Sequence, residues 1–220
     1  MVNIFLFGCS GHAAVVLDIL RKQGLYSVAG IIDSFAEPGS SALGLPVLGN
    51  ERNLARLVVE FNVSAGIVAI GDNFTRHAMV ERVLAVAPDF QFVSAVHPSA
   101  QTGTNVCIGA GTVVMAGSVI NPNSSIGDHC IVNTGCSIDH DNVFGNFSSI
   151  APGSHTGGNV RVGEFSVLAL QAGVVHGRTI GAHSVVGAGA LVLHDVPAFA
   201  VAYGTPARVI RTRKAGERYL

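Results

Sequence analysis

Residues 108–150 read IGAGTVVMAGSVINPNSSIGDHCIVNTGCSIDHDNVFGNFSSI, and their spacing decides the fold. Every sixth residue from Ile108 is large and apolar: Val114, Ile120, Ile126, Val132, Ile138, Phe144 and Ile150. The frame continues through Val162, Leu168, Val174, Ile180, Val186 and Val192, with Thr156 the exception. Two residues before each apolar position runs a second, mostly small series that includes Thr112, Ser118, Ser124, Cys130, Cys136, Asn142, Ser148 and Ser154. Glycine often follows the apolar residue, as at Gly109, Gly127, Gly145, Gly157, Gly163, Gly181 and Gly187. A short flat strand sends one bulky side chain inward, and a turn follows in which glycine relieves backbone strain. Three such faces, about 18 residues, make one triangular coil, and coils stack at β-strand spacing of about 4.8 Å. The pattern predicts a hexapeptide β-helix of about five coils.

The residues before this frame carry a different pattern. The apolar run NIFLFG ends at Gly8, and CSGHAAVVLDILRKQG follows with helical periodicity and Gly24 as its stop. VAGIID, LPVLG and AGIVAIGDN read as further strands, ERNLARLVVEFN and FTRHAMVERVLAV as helices, and FQFVSAVHP closes the segment. Alternating strand and helix predict a small Rossmann-like parallel sheet. The whole chain is thus α/β plus β: a sheet domain over 1–96, a parallel β-helix over 97–196, and a tail segment over 197–220.

Ligands on such sheets lie at the carboxyl ends of the strands. Three places qualify: Gly8 to His12, Asp33 with Ser34, and Gly71 to Asn73. The first can present backbone N–H groups to a phosphate at a helix start. Asp33 can hold a ribose or base, or cap a turn. Arg76 reads mainly as a surface charge on a helix.

A net charge of −1 points to neither nucleic acid nor an anionic membrane as partner. No apolar run approaches the roughly 18 residues of a membrane span, and the N-terminus has no basic residue before Arg21, so no secretory signal is expected. Four cysteines without CxxC spacing fit a reduced, cytoplasmic protein. The basic residues Arg208, Arg211, Arg213, Lys214 and Arg218 crowd the end, as a solvated tail or as a patch for phosphates.

FLFGCSGHA at the start, VNTGCSIDHDNVFGNFSSIAPG in the frame and GTPARVI after it together resemble the bacterial nucleotide-sugar acetyltransferases of the hexapeptide-repeat superfamily. The likeness is to sialic acid O-acetyltransferases and to N-acetyltransferases of 4-amino-4,6-dideoxy sugars, and covers nearly the whole chain. It implies a left-handed parallel β-helix, a homotrimer, a nucleotide-linked amino sugar on the N-terminal domain, and acetyl-CoA between neighbouring β-helices.

In the frame His140 falls two residues past inward Ile138, at a corner, pointing outward. Gly158, His176 and His194 share its phase and should stack along the same edge. A neutral imidazole can take a proton from an attacking amine, and a neighbouring carboxylate raises its basicity. Asp139 and Asp141 both adjoin it; the resemblance selects Asp141 and adds Asn133 near the base. It also implies the Gly158 N–H as oxyanion donor and Ser149, Leu170 and Ala188 along the acetyl-CoA site. The chain departs from the pattern at Ser149, where many relatives carry a longer histidine. On the sheet domain the resemblance implies Ser10, Gly11, His12, Asp33, Ser34 and Gly71 as nucleotide-sugar contacts.

Other chemistry is weaker. Cys136 adjoins His140 in sequence but takes the small inward position of its hexad. A zinc site needs ligands near 2 Å, and His140 and His176, two coils apart, would be about 10 Å from each other; no metal is expected. The leading expectation is acetyl-CoA-dependent N-acetylation of the C4 amine of a nucleotide-linked sugar. O-acetylation of a sialic-acid-like sugar and a non-catalytic scaffold are the alternatives.

Overall fold

A strand buried on both faces has no need of alternation, and Val2–Phe7 (β1) shows why its run is continuous. Ile4, Phe5, Leu6 and Phe7 are all 0% exposed. The computed structural model describes residues 1–218, and the chain divides into two compact units, Met1–Pro98 and one beginning at Ser99. Tyr219 and Leu220, the end of the expected tail segment, lie outside the described residues.

In the first unit β1 is followed by Tyr26–Ile32 (β2), Ser41–Ala42 (β3), Leu45–Gly49 (β4), Ala65–Val68 (β5) and Gln91–Phe92 (β6), in the sheet order β3-β4-β2-β1-β5-β6. Ala95–Val96 (β7) ends the unit. The pairings are parallel except β3 with β4, a small hairpin at the edge that the sequence pattern does not announce. Helices Gly11–Gln23 (α1), Leu54–Phe61 (α2) and Asn73–Val86 (α3) connect the strands. α1 stops at Gly24, whose φ of 70° is the left-handed cap expected there. The chain leaves β1 towards β2 and β4, then returns to β5 on the other side of β1. That reversal opens a crevice at the carboxyl ends of β1 and β5, where open α/β sheets bind ligands.

The second unit is a left-handed parallel β-helix. Its first face stacks Val113–Val114, Ile131–Val132, Ser149–Ile150, Val167–Leu168 and Val185–Val186. The second stacks Gln101–Thr102, Val119–Ile120, Ser137–Ile138, His155–Thr156, Gly173–Val174 and Leu191–Val192. The third stacks Cys107–Ile108, Ser125–Ile126, Val143–Phe144, Arg161–Val162 and Thr179–Ile180. Ala200–Tyr203 adds to the first face in parallel with Val185–Val186, and Arg208–Thr212 folds back antiparallel on it.

The small series turns out to be chosen for polarity as well as size. Its hydroxyls donate to the carbonyl oxygen 15 residues on: Thr112 to Gly127, Ser118 to Asn133, Ser124 to Asp139, Ser154 to Ala169 and Ser166 to Gly181, at 2.6–2.8 Å. Cys130 and Cys136 do the same with their thiols, at 3.2 and 3.1 Å. These inward groups are therefore satisfied within the core, as buried polar groups must be. Thr156 is different: it holds an apolar position, is 6% exposed, and its hydroxyl finds no partner among the described residues.

The glycines after the apolar residues do not relieve strain, contrary to expectation. The left-handed residues fall two places later, at every sixth position: Asn105, Gly111, Gly117, Asn123, His129, Gly135, Asp141, Phe147, Gly153 and onward. Gly145 is needed for a different reason. A Cβ there would lie 2.6 Å from the Glu164 nitrogen of the next coil, so the coils could not close.

Each corner uses its left-handed positions differently. Between the third and first faces they hold rings: His129, Phe147, Phe165, His183 and, after a shortened coil, Phe199. The rings form a column with centroid separations of 5.0, 5.2, 4.9 and 4.7 Å and interplanar angles of 12° or less. The separations follow the strand spacing, because each ring rides on its own coil.

Candidate active site

His140 sits at the corner between the second and third faces, after Ser137–Ile138 and before Val143–Phe144. Its side chain is 49% exposed, and its Nδ1 lies 2.7 Å from Oδ2 of Asp141, itself 44% exposed. The hydrogen bond to Asp141 raises the imidazole pKa above its ordinary value. Nδ1–H donates to that carboxylate, so Nε2 keeps its lone pair for a proton.

The two neighbouring carboxylates have separate tasks. Asp139 accepts the His140 backbone N–H at 2.9 Å and the Asn121 amide at 3.0 Å, and these bonds hold its pKa below the ordinary range. It fixes the peptide while Asp141 addresses the ring. Asn121 was not picked out from the sequence, although it stands 18 residues before Asp139 in the same phase.

Gly158 lies one coil on, directly beneath the imidazole. A Cβ at Gly158 would come within 2.5 Å of His140 Cε1 and 2.6 Å of Nε2. Only a residue without a side chain leaves the ring its place. Gly158 is buried, and its N–H meets no acceptor among the described residues. The edge continues as foreseen: Asn159 N–H donates to the His140 carbonyl and Gly177 N–H to that of Gly158, both stacking the corner coil on coil.

The remaining residues expected in the β-helix lie elsewhere on the coil. Asn133 follows the first face, a different corner from that of His140, and its Oδ1 accepts the N–H of Thr134 at 2.8 Å. Ser149 lies on the first face and is 6% exposed. Leu170, 50% exposed, and Ala188 occupy the corner after that face. Cys136 is 0% exposed and burial pushes its thiol up to about 11, which leaves no nucleophile there.

At the carboxyl ends of β1, β2 and β5 the structure gathers the expected residues of the first unit. Ser10 precedes α1, and Gly11 and His12 form its first turn. The His12 ring faces Gly71, where a Cβ would lie 4.0 Å from its Cγ. Burial, and then the charge of Arg76, lower the His12 pKa to about 4, so the ring is neutral, and its Nε2 has no partner among the described residues. Asp33 caps the loop after β2: its Oδ1 accepts the N–H groups of Phe35 at 2.8 Å and Ala36 at 3.0 Å. Partial burial pushes that carboxyl up, but these bonds and those from Cys9 outweigh it and hold it below the ordinary value. Ser34 gives its hydroxyl to Glu51, 2.9 Å away, which Arg82 holds in turn at 3.2 Å.

Arg76 corrects the sequence reading. It is 1% exposed, and its guanidinium binds the carbonyls of Ile70 and Gly71, both at 2.9 Å, and Oδ1 of Asn73 at 2.8 Å. The side chain reaches back to the loop between β5 and α3, so a position that looks like a helix surface is interior. Arg76 thereby shapes the loop that carries Gly71.

An α/β sheet with a crevice at its strand ends, joined to a hexapeptide coil with a His–Asp pair on one edge, defines an acyltransferase of the hexapeptide-repeat class. Comparison with known proteins sharpens this. Residues 3–83 match the PglD N-terminal domain family. The chain is 39% identical to PerB from Caulobacter crescentus, solved with CoA and GDP-perosamine, over 95% of this chain and 97% of that one, with TM-score 0.87. It is 31% identical to the acetyltransferase domain of PglB from Neisseria gonorrhoeae over 96% of this chain and 100% of that one, with TM-score 0.82. An acyl-[acyl-carrier-protein]–UDP-N-acetylglucosamine O-acyltransferase from Pseudomonas putida is 32% identical over 111 residues, 47% of this chain and 43% of that protein. The chain thus spans less than half of this curated relative. It belongs to the bacterial nucleotide-sugar acetyltransferases of the left-handed β-helix superfamily.

Proposed function

We propose that the protein is an acetyl-CoA-dependent N-acetyltransferase acting on the C4 amine of a nucleotide-linked 4-amino-4,6-dideoxy sugar, in glycan or lipopolysaccharide synthesis. The observation that carries this is the His140–Asp141 pair, 2.7 Å apart, above the unshared N–H of Gly158. A base and an oxyanion donor then share one edge.

The sugar amine attacks the thioester carbonyl, forming the C–N bond, and His140 Nε2 takes the amine proton. The carbonyl oxygen becomes an oxyanion, and the Gly158 N–H donates to it. The C–S bond then breaks and His140 returns the proton to the CoA sulfur. PerB, solved with GDP-perosamine and CoA, supports both substrate classes and makes GDP-perosamine the first acceptor to try. The crevice at β1 and β5, with neutral His12 and the start of α1, suits the nucleotide sugar's diphosphate.

The active form is a homotrimer in this reading. His140 and Gly158 stand on one corner of the coil, while Ser149, Leu170 and Ala188 stand around another. In a three-fold arrangement the corner of one copy would meet the adjoining face of the next, and acetyl-CoA would lie between them. The free cysteines suit the reducing cytoplasm. No helix among the described residues is long and apolar enough to cross a membrane.

The test is acetyl-CoA consumption against a panel of UDP-, GDP-, dTDP- and CMP-linked sugars with amine or hydroxyl at C4. Turnover should require the amine. His140→Asn should lower kcat/KM by about 10²–10⁴-fold with an unchanged circular dichroism spectrum. An unchanged kcat/KM would refute the role given to His140.

A further inference from the structure

Asn142 follows directly on the corner that carries His140 and Asp141. It occupies the inward polar series and is 0% exposed. Like the serines of that series it donates to the carbonyl 15 residues on, Gly157, at 3.0 Å, and its Oδ1 accepts the N–H of Val160 at 3.1 Å. Its own N–H goes to the Ser124 hydroxyl at 3.1 Å. These bonds are generic to the coil.

One further bond is not. The Asn142 amide also donates back into its own corner, to the Asp139 carbonyl at 2.6 Å, and passes the His140 carbonyl at 3.3 Å. Cys130, Ser166 and Ser184 also touch the carbonyl two residues back, at 3.6, 3.5 and 3.4 Å, so the His140 contact is common to the series; no other hydrogen bond described in the series reaches three back. A hydroxyl has one proton and spends it on the next coil; a primary amide has two. The Asp139 carbonyl receives Ser124 from the coil before as well, and the His140 carbonyl receives Asn159 from the coil after. The two amide protons serve Gly157 and Asp139, so the Asp139 carbonyl, which opens the peptide of the base, is clamped by Asn142 from its own coil and by Ser124 from the coil before.

We infer that Asn142 is a positioning residue for His140: it sets the corner so that the imidazole lies over Gly158 and keeps its bond to Asp141. The inference rests on the proposed role of His140. Serine at 142 preserves the link between coils and removes the clamp, so Asn142→Ser separates the two roles. In a catalytic geometry, misplacement of about 1 Å costs up to about 10²-fold.

The experiment compares wild type and Asn142→Ser by steady-state kinetics, thermal unfolding and NMR titration of ring-labelled histidine. A lowered kcat, about 10- to 100-fold, with KM for both substrates and Tm nearly unchanged, is the expected result. The His140 titration should move down toward that of a free histidine as its bond to Asp141 loosens. Wild-type kcat together with a wild-type His140 titration overturns the inference, as does a fall in Tm with kcat retained. If the wild type transfers acetyl to no sugar in the panel, the catalytic reading falls separately. The titration alone then decides whether Asn142 positions the ring.

Discussion

Asp141 combines two demands at one residue. Its φ of 59° lies in the left-handed region, which this corner otherwise gives to Asn105, Asn123, Asn159 and Gly177. Aspartate tolerates that backbone because it is short and polar, and there it also meets the imidazole. Asparagine would keep the same backbone, so Asp141→Asn isolates the charge. Below the His140 pKa the ring is protonated and cannot accept the amine proton. Asp141 raises that pKa; its removal lowers it, and the acid limb of the kcat/KM profile should move to lower pH. The plateau should fall by about 10- to 100-fold, since the ring loses both basicity and orientation. A limb that stays or moves up would show that Asp141 does not address His140. The pair itself was legible in the sequence, because the six-residue frame puts residue 140 on an outward corner. The choice between Asp139 and Asp141 came only from resemblance, and the separate hydrogen bonds of the two carboxylates supply its physical basis. Arg76 was not legible: helical periodicity cannot show that a side chain turns back to bind the carbonyls of the loop before its own helix.

At the scale of elements the frame announced the coil but misplaced its bends. Glycine after each apolar residue looked like a turn signal, whereas steric closeness between coils selects it, and distance between coils is not written in one hexad. The column of rings could have been found, since His129, Phe147, Phe165 and His183 repeat at 18-residue spacing. It escaped because apolar residues were sought only at inward positions. These rings cover a corner whose adjoining face is apolar, with Val167, Val185 and Val201 at 2% exposure or less. Phe165 stacks on both sides, so Phe165→Ala should cost about 2 kcal/mol and lower Tm by several degrees in a thermal melt. An unchanged Tm would mean that the column is passive.

The whole molecule raises the question of where one active site ends. On a single coil, His140 with Gly158 and Leu170 with Ala188 occupy different corners, so one copy does not unite them. Light scattering coupled to gel filtration should return roughly three times the 22.6 kDa chain mass. A monomer with full activity would remove the shared cleft. Domain order and the two architectures were readable, since a change from helical to six-residue periodicity is sharp. Oligomeric state was not: outward residues of a coil look alike whether solvent or another copy covers them.

The constant offset of 18 residues between paired strands has a kinetic meaning. Apart from its last turn, the second unit closes its ladders without joining distant parts of the chain. A β-protein usually folds slowly because such joining must come first. Here one formed coil offers the next an edge to grow on, so folding should spread outward from any early nucleus, as in other repeat arrays. The corner bearing His140 lies inside the array, with coils on both sides, where fraying from either end arrives last.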